Sequence, residues 1–151
     1  MVPATPELLR GKPDMGRFSV ELEVVNHEDA IRAKTGQLRP EQIRRERLSG
    51  VVDTGATRLV LPAATVAALG LPETGRVTVR FADGRRDQKA LVGEAQVEIL
   101  GRSSVFTAVV EPGWSDALIG AIVMEELDLI LDCTRQQLVP RDPHGLFAEL
   151  D

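Results

Sequence analysis

The chain holds 151 residues, within the roughly 100–200 of a single domain, and its 43% hydrophobic and 27% charged content excludes a largely disordered or collagen-like polymer. Eighteen Lys and Arg against 23 Asp and Glu give a net charge of −5, which speaks against a broad nucleic-acid footprint. One cysteine, Cys133, and two histidines leave no intramolecular disulfide and no sensible metal-ligand set, so neither a metal nor a cofactor is expected.

Residues 1–16 carry Pro3, Pro6, Pro13 and Gly16 with little periodicity and read as an N-terminal arm. From Phe18 to Val25 apolar Phe18, Val20, Leu22 and Val24 alternate with Ser19, Glu21 and Glu23, the period of a half-buried strand. Residues 26–47 differ in kind, with Arg32, Lys34, Arg39, Arg44, Arg45 and Arg47 set among Glu28, Asp29, Glu41 and Glu46. This stretch reads as a surface insertion between two strands, with a solvated charged face. Pro40-Glu41 suits the first turn of a short helix reaching Arg47.

Val51-Val52 and Arg58 to Leu61 read as strands flanking a turn at Asp53-Thr54-Gly55-Ala56. Pro62 can open a short helix from Ala63 to Leu69, stopped by Gly70. Arg76 to Phe81 is a strand, and Ala82-Asp83-Gly84-Arg85 carries the Asp-Gly hairpin signal that returns the chain through Ala90 to Leu100. Further strands follow at Val105–Val110 and Ala117–Ile119, then a helical turn or two from Ile122 to Leu127. A last hairpin pairs Leu129–Leu131 with Leu138-Val139, and 142–151 form a C-terminal tail, amphipathic from His144 onward. Strands at this spacing with one or two short helices predict an all-β fold, a small barrel or sandwich. No apolar run approaches about 18 residues, so no membrane partner is expected. The N-terminus lacks a basic patch followed by an apolar stretch, so a cytoplasmic protein is the expectation. Aromatics are 3%, too few for nucleic-acid stacking platforms, and the core must be aliphatic. His27 and His144 are expected at the surface, and Cys133 as a small buried hydrophobe.

The chemically informative stretch is Val51-Val52-Asp53-Thr54-Gly55-Ala56-Thr57. An aspartate directly after two β-branched residues sets a carboxylate at the mouth of a buried strand, and the glycine lets the backbone turn tightly over it. A bare Asp-Thr-Gly is also what an ordinary turn uses. Here, however, a strand and Pro62 follow, an Asp-Gly hairpin lies between, and about 65 residues on come Leu118-Ile119-Gly120 and a helix.

Together these pieces resemble the retropepsin-like aspartic proteases, single-lobe relatives of pepsin that include retroviral proteases and bacterial proteins. The likeness runs from about Phe18 to Pro140 without the insertion, in a domain spanning 17–141. It implies a small closed barrel. Asp53 would be catalytic, Thr54 would bond across a dimer axis, and Gly55 would offer backbone to substrate. Ala56 matches the retroviral form of the loop. Ala82, Asp83, Gly84 and Arg85 would form the tip of a flap. Leu118, Ile119 and Gly120 would pack beneath the active loop, and Trp114 would lie near a substrate pocket or serve as a packing residue.

Aspartic proteolysis sets a water between two carboxylates, one charged and one protonated. Two unit charges about 4 Å apart repel by about 4 kcal/mol at an effective dielectric of 20. Successive ionisations of such a pair are therefore split by about 3 pKa units, and one shared proton persists. No second Asp-Thr-Gly or Asp-Ser-Gly occurs in the chain. The resemblance therefore implies a homodimer that acts on a peptide or protein substrate, with one Asp53 from each copy. A methyl group at Ala56, where a hydroxyl would favour the charged carboxylate, predicts a mildly acidic optimum.

Thr57 and Arg58 depart from the acidic residues usual at these positions in the viral enzymes, and Ala121 from their arginine. The flap tip is charged where viral flaps are glycine-rich and apolar. A phosphorylating-pump reading lacks the lysine of Asp-Lys-Thr-Gly-Thr, and a dehalogenase Asp-x-Asp fails at Gly55. The alternative of a different class is a dimeric peptide-binding or adaptor module of the same fold, weakly active or inactive.

Overall fold

A computed structural model describes residues 18–150; the arm expected over 1–16, and Asp151 at the end of the tail, lie outside the described residues. The elements in order are β1 (Phe18–Asn26), α1 (His27–Lys34), a 3-10 turn (Pro40–Gln42), β2 (Arg45–Val52), β3 (Leu59–Pro62) and α2 (Ala63–Leu69). Then come β4 (Glu73–Arg80), β5 (Arg86–Ile99), β6 (Arg102–Glu111), β7 (Ala117–Ile119), α3 (Ala121–Leu127), β8 (Leu129–Asp132) and β9 (Gln137–Pro140).

Six strands close on themselves in the order β1-β2-β7-β3-β6-β5, and β5 returns to β1 through pairs from Glu23–Glu98 to Asn26–Ala95. The result is a small closed all-β barrel, as the resemblance implies. β4 stands outside the ring, paired among the described residues only with β5, and the two form a long hairpin. β8 and β9 make a separate two-stranded sheet, with Leu129 and Leu138 buried in the main core.

The short strands at the centre of the barrel are apolar without alternation because both of their faces are covered. Leu59 and Leu61 of β3, with Ala117 and Ile119 of β7, point into the main core. Val60 and Leu118, on the opposite faces of the same strands, join Val109 and Trp114 in a second, smaller cluster. The second cluster floors the cleft described below.

The insertion is built differently from its expected form. Its helix is α1 at the start, not a helix running to Arg47, and the barrel's three short α-helices include it. Pro40 opens only a 3-10 turn, because from Arg45 the chain pairs antiparallel with β1, beginning at Val25↔Arg45. Nor is its charge all solvated. Asn26 is buried, its Oδ1 accepts from the Asp29 N–H at 3.0 Å, and its Nδ2 donates to the Leu69 carbonyl at 2.8 Å. Asp29 is also buried and takes a two-pronged guanidinium contact from Arg44, Nε to Oδ2 at 2.9 Å and a terminal nitrogen to Oδ1 at 3.1 Å. That contact holds the Asp29 carboxyl below its ordinary value against the opposing effect of burial. Arg39 and Arg45 pair with Glu41 and Glu23.

Cys133 is exposed, contrary to the expected buried position. β8 ends at Asp132, whose Oδ1 accepts the Thr134 and Arg135 N–H groups at 3.1 Å, so Cys133 falls in the turn and not in a strand. His27 is half-buried with its Nδ1 2.9 Å from Gln96 Oε1, and His144 is exposed. The tail has no helix up to Leu150. It is tied back by Arg141, whose guanidinium bonds the Asp128 carboxylate at 2.6 Å and the Phe147 carbonyl at 2.8 Å. No helix among the described residues is long and apolar enough to cross a membrane.

Candidate active site

β2 leaves the core at Val52, and Asp53 extends its parallel ladder to β7 by one bond, donating its N–H to the Ile119 carbonyl at 3.0 Å. The chain then turns tightly. Gly55 donates its N–H to Asp53 Oδ1 at 2.9 Å, and Ala56 donates to the Asp53 carbonyl at 3.1 Å. On the far side, the Ala121 and Ile122 N–H groups donate to the Ala56 and Thr57 carbonyls at 2.8 and 3.0 Å. The first amides of α3, which have no partner within their own helix, are thereby satisfied by the loop.

Gly120 is what lets the two segments meet. A Cβ at this position would lie 2.5 Å from the Arg58 carbonyl oxygen and 2.6 Å from the Thr57 carbonyl carbon, both backbone atoms that cannot rotate away. Leu118 and Ile119 face opposite sides, Leu118 toward the cleft and Ile119 into the main core.

Asp53 is half-buried, and Thr54 and Gly55 are exposed. Among the described residues, neither Asp53 Oδ2 nor the Thr54 hydroxyl makes a hydrogen bond. A cleft of about 280 Å³ adjoins this loop, with residues 55–58 on one side, 77–80 of β4 on the other, and Trp114 and Leu118 at its base. Trp114 is both buried and part of the cleft lining.

The hairpin tip is closed by the Phe81 N–H donating to the Arg85 carbonyl at 2.8 Å and Gly84 donating back to Phe81 at 2.9 Å, with Gly84 at φ +89°. The Arg85 N–H and guanidinium grip the Asp83 carboxylate and hold its pKa below the ordinary value, and the guanidinium lies over the Phe81 ring at 4.7 Å. Residues 82–85 themselves do not line the cleft; the β4 arm of the hairpin does.

One residue of the cleft lining, Glu111, belongs to a charged pair. Glu111, at the end of β6, is buried and its Oε1 lies 3.1 Å from Lys89 Nζ on β5, which is also 3.3 Å from Asp87. Burial pushes the ammonium down, but the two carboxylates outweigh it and leave its pKa above the ordinary 10.5.

The sequence model of the family described as "gag-polyprotein putative aspartyl protease" matches residues 40–126. The chain belongs to this family. No curated protein matches the sequence. The matched span of this aspartyl protease family runs from the 3-10 turn through β2, the Asp53 loop and the β4–β5 hairpin to α3, so it takes in every part that builds the cleft.

Sequence reasoning brought Asp53, Thr54, Gly55, Ala56, Trp114, Leu118 and Gly120 to one place, and the structure puts all of them at the loop or the cleft. It missed Glu111, Lys89, Arg80 and the valines of β4. The alternation of Val77, Val79 and Phe81 was visible, but only the register of β4, β5 and β6 shows which face meets the cleft. Among the described residues no group of His, Cys, Asp and Glu side chains could hold a metal ion.

Proposed function

We propose that this protein is an aspartic endopeptidase that works as a homodimer, with Asp53 of each copy facing its counterpart across a two-fold axis. The observation that carries the reading is the Asp53 loop. One carboxylate is presented beside a cleft of about 280 Å³, with one oxygen held by the Gly55 N–H and the other unpartnered among the described residues. The exposed Thr54 hydroxyl beside it, unpartnered among the described residues, suits a hydrogen bond to a second copy.

In the dimer the two carboxylates share a proton. The charged one takes a proton from a water between them as the water attacks the peptide carbonyl. The protonated one donates to the carbonyl oxygen, and collapse of the tetrahedral adduct transfers a proton to the leaving nitrogen. The apolar base at Trp114 and Leu118 suits an aliphatic or aromatic side chain beside the scissile bond. The methyl of Ala56 in the loop, where a hydroxyl would favour the charged form, supports a mildly acidic optimum.

The test is a peptide-library digest with wild-type and Asp53→Asn protein, each with its mass measured in solution. The reading expects cleavage by wild type, none by Asp53→Asn, and a dimer in both. Full activity from a monomer, or cleavage that survives Asp53→Asn, overturns it. Dimers that bind peptides without cutting them would point instead to the binding module.

A further inference from the structure

The chain carries a net charge of −5, yet the cleft carries the opposite sign. Arg58 and Arg80 both line it and both are exposed, and among the described residues neither side chain enters an ion pair or a hydrogen bond. The lining's single carboxylate, Glu111, is already neutralised by Lys89 at 3.1 Å. On the hairpin, Asp83 is gripped by Arg85, and Asp87, which shares Lys89 with Glu111 at 3.3 Å, lies outside the lining. Asp53 adds a negative group at the mouth, and a shared proton in the dyad leaves one such charge for two copies. Within the lining itself two arginines therefore stand against one carboxylate, and the charge there is positive. It sits at the rim of a floor made of Val60, Val109, Trp114 and Leu118.

We infer that the cleft selects peptides with an acidic side chain close to the apolar one that enters the Trp114–Leu118 floor, the carboxylate being taken by the rim guanidiniums of Arg58 and Arg80. This rests on the endopeptidase reading for its substrate class, but its charge argument needs only that the cleft binds peptide. Arginine suits the task because its planar fork matches a carboxylate and it stays charged at every relevant pH. Lining groups that would repel a substrate carboxylate are occupied within the chain, so selection needs no rearrangement. Because the arginines are exposed, the preference is modest and sensitive to salt.

The test uses peptide pairs that differ only in Glu against Gln at positions flanking a Leu or Phe. Two readouts are taken: kcat/KM with wild type, and anisotropy of the fluorescein-labelled peptides bound to the Asp53→Asn protein, which requires no cleavage. The expected result is a three- to tenfold preference for Glu in at least one flanking position at low salt. It should shrink in 0.5 M NaCl and fall within twofold in the Arg58→Gln/Arg80→Gln variant, while Arg58→Lys/Arg80→Lys retains part of it. Equal values for the two peptides, a preference for Gln, no binding of either, or a preference unchanged by the double substitution overturns the inference. Glu-selective binding without any cleavage overturns the endopeptidase reading alone.

Discussion

Lys89 on β5 and Glu111 on β6 face each other across the sheet at 3.1 Å, with 17% and 9% of their side chains exposed, and so join the base of the β4–β5 hairpin to the barrel wall. Their placement follows from register, since Leu91 lies opposite Val109 and the strands run antiparallel. The pair is asymmetric. Lys89 has a second partner in Asp87, whereas among the described residues Glu111 has only Lys89. Lys89→Met, which strands a buried carboxylate, should therefore cost more stability than Glu111→Gln. About 3 kcal/mol against about 1–2 kcal/mol is expected from the cost of breaking buried pairs. Urea titrations of the two variants at neutral pH check the order, and equal midpoints would count against it.

The Asp29–Arg44 contact gives a pH dependence with a definite sign. The folded-state carboxyl is held below the ordinary 3.8, so its contribution to stability is complete above that value. It is lost as pH falls from there through the lowered native value. Asp29→Asn should destabilise the protein by about 2 kcal/mol at pH 7. Its deficit relative to wild type should narrow steadily below about pH 4. Thermal or urea unfolding of both proteins from pH 7 to 3 measures this, and a constant gap would rule it out.

Gly120→Ala should be far more damaging than an ordinary change of one methyl group, because the obstacles at 2.5 and 2.6 Å are backbone atoms of Arg58 and Thr57. About 2–3 kcal/mol of destabilisation is expected, at the upper end of overpacking costs. If the endopeptidase reading holds, kcat should drop at least tenfold, even at temperatures where the variant is fully folded. Calorimetry together with peptide hydrolysis separates the two effects.

On the dimer reading, Thr54→Ala should weaken association while leaving each barrel intact, since the hydroxyl makes no hydrogen bond to its own chain among the described residues. A tenfold or greater rise in the dimer dissociation constant is expected from the loss of two symmetry-related hydrogen bonds, about 1 kcal/mol each. Sedimentation equilibrium reads it directly, with far-UV circular dichroism as the control on folding.

Much of the site is visible in the chain because it is written in local signals. The apolar run before Asp53, the Asp-Gly of the hairpin and the apolar pair before Gly120 each report on nearest neighbours. The hairpin tip shows the limit of such signals: Ala82 to Arg85 do form the turn, but the side of the hairpin that meets the cleft is its β4 arm. The insertion was harder to read because Asn26 and Asp29 look like solvated residues until Leu69 and Arg44 are brought to them from 43 and 15 residues away. Glu111 escaped notice for the same reason. An acidic residue before Pro112-Gly113 reads as a loop residue, and its partner is a lysine that only the pairing of β5 with β6 brings opposite it. Cys133 adjoins a strand and so reads as buried, but the Asp132 side chain closes a turn there that leaves it exposed.

The loop that presents Asp53 is fastened almost wholly by main-chain atoms, from Ile119 behind it and from Ala121 and Ile122 beneath it. Such a mounting is indifferent to most side-chain identities around it. Cleft walls and rim can therefore drift in charge and size, as the arginines here illustrate, while the aspartate stays where it is. The obligate element is a missing side chain, at Gly120, more than any particular one that is present.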